Sequence, residues 1–141
     1  LFLHTIGGHY TFANVPFRYV TDLFGFERNH FDRIAHFAVG LYAFPLAELL
    51  WRKRLAHPAV AMLFGLTAIM AVACTYEIIE WIHAVTEGGE AGVELLGSQG
   101  DPWDAQKDML ADTLGAVCAL ALFRIRQPWR SLAGAAASPG R

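Results

Sequence analysis

Long apolar runs separated by short polar connections dominate the chain, and the runs have the length of helices rather than strands. Residues 59–76, AVAMLFGLTAIMAVACTY, give 18 consecutive positions without a formal charge, which reaches the length of a membrane-spanning candidate. Pro58 suits a first helical position, so the pattern predicts a helix B from about Pro58 to about Ile82. A helix A is predicted from Asn29, an N-cap with Asp32 three residues on, to Leu50. Its uncharged core, IAHFAVGLYAFPLA, is 14 residues long and contains Pro45, which predicts a kink. A helix C is predicted from Pro102 to about Phe123, with an uncharged part, TLGAVCALALF, of 11 residues. Apolar runs of about 10–14 residues also suit buried helices of soluble proteins, so run length alone establishes a single span.

Charge placement changes that picture. Arg52, Lys53 and Arg54 lie between helices A and B, and Arg124, Arg126 and Arg130 follow helix C. The connection from 83 to 101 has no Lys or Arg but carries Glu87, Glu90, Glu94 and Asp101. Three antiparallel spans put both basic clusters on one face and the bare acidic loop on the other, as the positive-inside rule asks. The expected fold is an all-α, polytopic transmembrane bundle with at least three spanning helices. The A–B loop and the C-terminus then face the cytoplasm. The N-terminal segment, with Arg18, Arg28, Asp22 and Glu27, is mixed and adds little to this assignment.

Composition agrees. The chain has 141 residues, enough for one domain, and is 55% hydrophobic; its mean hydropathy is +0.33. A net charge of −2, without a basic stripe, excludes nucleic acid as a partner. Cys74 and Cys118 lie in apolar runs with no ligand at metal spacing and read as small buried side chains. The opening LFLHTIGGHY lacks the basic start of a signal peptide and reads as the end of an earlier apolar segment. The expected organisation is a membrane-embedded helical domain over 1–130, lacking upstream helices, and a flexible tail over 131–141, SLAGAAASPGR.

The candidate chemistry follows from the topology. Asp32 and His36 open helix A, Glu77 and Glu80 lie near the end of helix B, and Asp101, Asp104, Asp108 and Asp112 open helix C. All three groups fall at the non-cytoplasmic end. Asp32/His36, Asp104/Asp108 and Asp108/Asp112 are i,i+4 pairs and Glu77/Glu80 is i,i+3, so each helix offers one polar stripe. Asp112 lies roughly 13 Å along the helix from Trp103, too deep for hydration at the interface. Trp81 and Trp103 are expected to mark the headgroup boundary. Ionisable groups at such depth are costly, about 2.5–3.5 kcal/mol each at the bilayer centre, and they need partners. Arg33 and Lys107 are the cations in place to neutralise some of them, with Gln99 and Gln106 as further supporting polar groups.

The strings NHFDRIAHFAVG, YEIIEW and GSQGDPWDAQKDMLADTLGA resemble the YjdF family of predicted inner-membrane proteins, as does GGHYTFANVPF over 7–17. A more distant resemblance is to VanZ-like proteins. Their Asp-basic-x-x-His-Phe element matches Asp32, Arg33, His36 and Phe37, their Glu-containing helix matches Glu77 and Glu80, and their late acidic element matches Asp108, Asp112 and Gly115. The YjdF resemblance covers about residues 4–124 and implies an α-helical protein of the bacterial inner membrane with no established activity.

One reading of the acids is a site for one or two divalent ions. Carboxylates with an imidazole suit Mg, Mn, Zn or Fe, and such a site would act on a lipid-linked phosphoryl or acyl substrate. The usual di-metal helical pattern has Glu-x-x-His where this chain has Glu-x-x-Glu. The bland reading is a hydrogen-bonded polar cluster in an accessory subunit of a larger membrane complex; a proton pathway is a third. His4 and His9, which flank TIGG, are available as further ligands but fit interfacial, solvent-facing positions better. His83 reads as a helix C-terminal cation or an exposed group, and Glu48 as a partner of Arg52. Gly40, Gly65 and Gly115 read as helix-packing contacts. There is no nucleophile elbow, P-loop or dinucleotide fingerprint.

Overall fold

A computed structural model describes residues 2–89, 92 and 98–126. The predicted tail over 131–141, and the charges of Glu90, Glu94 and Arg130, lie outside the described residues. The described elements are α1 (Phe2–Tyr10), a 3-10 turn (Phe12–Asn14), α2 (Arg18–Phe24), α3 (Phe31–Gly40), α4 (Ala43–Arg52), α5 (Pro58–Glu87) and α6 (Asp104–Arg126). No strand occurs among the described residues, and the fold is an all-α membrane bundle.

Helix A of the sequence is α3 and α4 in succession. The break falls at Leu41–Tyr42, one turn before Pro45. Pro45 has no N–H to give to the Leu41 carbonyl, and its ring crowds that oxygen. The chain tightens there, with Tyr42 N–H donating to Val39 O at 3.0 Å and Phe44 N–H to Leu41 O at 3.2 Å. Helix B extends to Glu87, five residues beyond the expected end. His57 Nδ1 caps its start by accepting from Ala59 N–H, and Gly88 ends it at φ 68°.

Among the described residues, two stretches are long and apolar enough to cross a bilayer: Phe31–Arg52, with mean hydropathy 1.4, and Pro58–Glu87, with 2.0. α6 has 23 residues, about 35 Å, but its first half carries the acids. α5 runs antiparallel to the α3–α4 pair, since Gly65 sits against Ala43 and Glu77 beside His36. α6 runs parallel to that pair, matching Arg33 with Asp108, His36 with Asp112, and Phe44 with Phe123. The α4–α5 connection and the end of α6 therefore share one end of the bundle, where Arg124 lines a cavity with His57 and Met62.

The interior is the reverse of a soluble core. Its buried hydrophobic centre is largely alanine (Ala43, Ala47, Ala61, Ala116, Ala119), closed by Ile69, Leu120 and Phe123. The outer surface is apolar, with Val60, Leu63, Phe64, Met70, Val72, Ile79, Leu114 and Ile125 exposed. Lipid tails are as apolar as leucine, so small residues that let backbones approach drive helix association. Gly40 and Gly115 are the closest instance. A Cβ on Gly40 would lie 2.2 Å from the Asp112 carbonyl, and one on Gly115 would lie 2.1 Å from that of Phe37. The same inversion corrects the reading of the cysteines: Cys74 and Cys118 are both exposed on the apolar face, because alanines and polar groups hold the inner positions.

Candidate metal centre

His36 is the hub of the polar interior. Asp32 and His36, four residues apart on α3, share its inner face; only 2% of His36 and 1% of Asp112 is exposed. The His36 ring is held by α6, where Nδ1 donates to Asp112 Oδ2 at 2.8 Å in a buried bond. That contact orients the ring and turns Nε2 inward. Around Nε2 stand three carboxylate oxygens from three helices: Asp32 Oδ1 at 3.4 Å, Glu77 Oε1 at 4.0 Å and Asp108 Oδ1 at 4.0 Å. Those separations are long for hydrogen bonds. They are close to the spacing of ligands around one ion, about 3.0–3.4 Å for metal–ligand bonds near 2.1 Å. Ligand atoms of Asp32, His36 and Asp108 all lie within 4.8 Å of one another.

An ion-paired rim separates this group from the end of the bundle at which α3 and α6 begin. Arg33, one residue after Asp32, pairs closely with both Asp104 and Asp108, and also donates to the Asp104 carbonyl. Arg28 Nη1 reaches Asp104 Oδ1 at 2.8 Å and Asp101 Oδ2 at 3.4 Å. Lys107 joins Asp101 at 2.6 Å. Three cations thus meet three acids in the rim. The inner set is not balanced. Asp32, Glu77 and Asp112 face His36 as their only basic partner among these contacts, and Glu77 Oε1 and Asp112 Oδ1 are buried without hydrogen bonds. Uncompensated buried carboxylates are strongly unfavourable.

At the outer edge, Lys107 and the Trp103 N–H hold the Asp101 carboxyl below its usual range, with Arg28 adding to the effect. His30 is pushed down by burial and by the nearby Arg28 and Arg33 charges. Gln99 accepts from Asn29 N–H and donates to Asn29 O, while the Asn29 side chain caps Phe31 and ties down Ala13 and Val15. This latch seats the start of α3 beside the start of α6.

The sequence-predicted residues divide clearly. Asp32, His36, Glu77, Asp108 and Asp112 come together; Arg33, Asp101, Asp104 and Lys107 form the rim; Gln99 is the latch. Glu80 and Trp81 line a cavity of about 370 Å³ with Glu77, Asp101 and Asp104, one turn outside the hub. Trp103 and Gln106 are exposed, and Trp103 meets the rim through its backbone N–H to Asp101.

Three participants escaped the sequence. Arg28 lies outside helix A, yet it bridges two acids more than 70 residues away. His4, expected to be interfacial and solvent-facing, is half-buried edge-on against His36, Tyr76 and Phe12 with Nδ1 unpartnered. Tyr76 completes that aromatic wall, its ring centre 5.9 Å from that of His36. The i,i+4 spacing of Tyr76 and Glu80 was the available signal for Tyr76; His4 had none, since only folding brings α1 over α3.

Comparison with known proteins agrees with the architecture. A family model described as "Predicted membrane protein (DUF2238)" matches residues 1–128. The inner membrane protein YjdF of Escherichia coli (strain K12) is 39% identical over 137 residues, covering 90% of this chain. The chain spans 65% of that relative's length. No solved structure matches. The more distant VanZ-like likeness rests on the motif residues alone. With a family match over nearly all its length and an apolar-outside, polar-inside bundle, the chain belongs to the DUF2238 family of predicted membrane proteins.

Proposed function

We propose that this chain is a membrane-embedded metal-binding protein whose centre is built by His36, Asp32, Asp108 and Glu77 and opens toward the non-cytoplasmic face. One observation carries the reading: His36 Nε2 stands amid three carboxylate oxygens at 3.4–4.0 Å while Nδ1 is held by Asp112. Carboxylate–histidine pairs of that kind orient the ring and raise its basicity in metal sites. One imidazole with carboxylates is a borderline-to-hard donor set, which favours Mn, Fe or Zn and accommodates Mg. A divalent ion also offsets the negative charge that the inner set leaves unbalanced. α6 serves as the third span alongside the two more apolar ones.

The chemistry this arrangement supports is metal-assisted hydrolysis. An ion held by His36, Asp32, Asp108 and Glu77 would supply Lewis acidity toward a phosphoryl or acyl oxygen, and a carboxylate of the set is placed to take the proton of an attacking water. Substrate would reach it from the acidic cavity beside Glu77 and Glu80, at headgroup depth, which suits a lipid-linked ester. The basic end with Arg52, Lys53, Arg54, Arg124 and Arg126 faces the cytoplasm by the positive-inside rule.

Metal content of detergent-purified protein tests the proposal. The expected result is a stoichiometric ion in wild type that both Asp108→Asn and Glu77→Gln lose. A folded wild type that holds no ion after incubation with Mn, Zn and Mg in turn would overturn it, and the cluster would then be the polar seam of an accessory subunit.

A further inference from the structure

Two cavities lie end to end along one side of α5 and share Tyr76 and Ile79. The first, about 220 Å³, has Thr11 and Phe12 of the 3-10 turn on one wall and Tyr76, Glu80 and His83 on the other. The second, about 320 Å³, continues along Ala71, Val72 and Thr75 toward the middle of the helix. Positions 71, 75 and 79, with 72, 76, 80 and 83, follow helical spacing, so the two form one groove parallel to the α5 axis.

Its polarity is graded. In the lower part the Thr75 hydroxyl donates to Ala71 O at 2.8 Å and is spent on its own helix. The remaining walls there are apolar and open outward, with Val72 56% and Ile79 58% exposed. From Glu80 back to Ala71 the helix rises about 13–14 Å, close to the roughly 15 Å hydrocarbon depth of one leaflet. The upper part holds the Glu80 carboxylate, and among the described residues lining it none is Lys or Arg. A hydrocarbon chain fits the lower part. The upper part favours a cationic head and disfavours a purely anionic one. Tyr76 forms the wall between this head compartment and His36.

We propose that the groove binds an aminophospholipid of the surrounding leaflet, its acyl chain along α5 from Ile79 to Ala71 and its ammonium on Glu80. The binding follows from the groove alone; that such a lipid is what the metal centre acts on rests on the proposed function.

Native mass spectrometry of the detergent-purified chain, titrated with phosphatidylethanolamine and phosphatidylglycerol of identical acyl chains, tests it. Wild type is expected to retain one phosphatidylethanolamine and to prefer it by about tenfold or more, the scale of one charge-assisted hydrogen bond. Glu80→Gln should bring the preference near unity. Ala71→Phe, at an exposed position, fills the groove and should release both lipids while metal content stays at the wild-type level. Chelator-stripped wild type should keep the lipid, so lipid without metal condemns only the metal centre and metal without lipid condemns only the groove. Equal retention of the two lipids, a preference unchanged in Glu80→Gln, or lipid still held by Ala71→Phe would each overturn the proposal and leave annular lipid or another protein segment against this face.

Discussion

Replacing Gly115 by alanine tests the α3–α6 contact on which the whole centre depends. A Cβ at that position would sit 2.1 Å from the Phe37 carbonyl oxygen and 3.0 Å from Gly40 Cα. Ordinary contact begins near 3.4 Å, so the two backbones must part by about 1.3 Å at the crossing. Neither obstacle is a side chain that can swing away. His36 is adjacent to Phe37, and Asp112 lies one turn before Gly115. The 2.8 Å bond between them would open to about 4 Å, beyond hydrogen-bond range. Overpacking costs about 1–3 kcal/mol, and breaking a buried charged pair about 3–5 kcal/mol. Allowing for partial relaxation, Gly115→Ala is expected to lose at least about 3 kcal/mol. Unfolding in mixed micelles with rising dodecyl sulfate, followed by helical circular dichroism, reads this directly. Gly8→Ala is the control: a Cβ there would meet nothing within 4 Å, and helix propensity gives a change of no more than about 1 kcal/mol. If Gly115→Ala unfolds with wild type, the backbones do not meet there and the site geometry described above is wrong.

Other outcomes follow from the same contacts. Asp112→Asn should weaken metal binding by about 10–100-fold while leaving Asp32, Asp108 and Glu77 in place, measured by competition with a chelating dye; unchanged affinity would remove Asp112 from the centre. Arg33→Ala leaves Asp104 and Asp108 without their closest cation and should cost about 3–5 kcal/mol in the same micelle assay; a loss below about 1 kcal/mol would make the pairing incidental. The depressed Asp101 carboxyl contributes stability above its unfolded pKa, near 3.9, and that contribution is lost as pH falls through the lower folded value. His30, held down by burial and two arginines, adds acid sensitivity that begins below about 6.5, its unfolded value. Melting temperature should therefore fall from pH 7 toward pH 3, and Lys107→Ala should narrow its gap from wild type at the acid end; a gap independent of pH would sink this account. For orientation, Lys53→Cys should be labelled by an impermeant maleimide only in inverted vesicles and Ser98→Cys only in intact spheroplasts, and the opposite pattern would reverse the assignment.

Much of the bundle was legible because bilayer physics writes itself into sequence. The 18 uncharged residues from Ala59 to Tyr76 can only be a helix there, and the basic clusters after helices A and C fixed which ends lie together. Helical spacing then put Asp32 with His36 and Asp108 with Asp112 on inward stripes, and the structure brings those stripes together with Glu77. The break in helix A was legible as an effect of Pro45 but not in its position, because the strain falls on the carbonyl one turn earlier, at Leu41.

What only the tertiary structure decided is which groups meet across helices. Arg28 precedes α3 and has no periodic relation to Asp101 or Asp104; the Asn29–Gln99 latch brings it to them. His4 reaches His36 because α1 folds over α3, with Phe12 packed onto the bare Cα of Gly7. Spacing also could not show that Asp104 pairs with arginines while Asp108 both pairs with Arg33 and stands beside Nε2. Sequence determines which residues share a face of one helix, since that is local geometry. It does not set the depth and rotation at which helices pack, and here those depend on interlocking backbones at Gly40 and Gly115, where fractions of an ångström decide how closely Asp32, His36 and Asp108 approach one another.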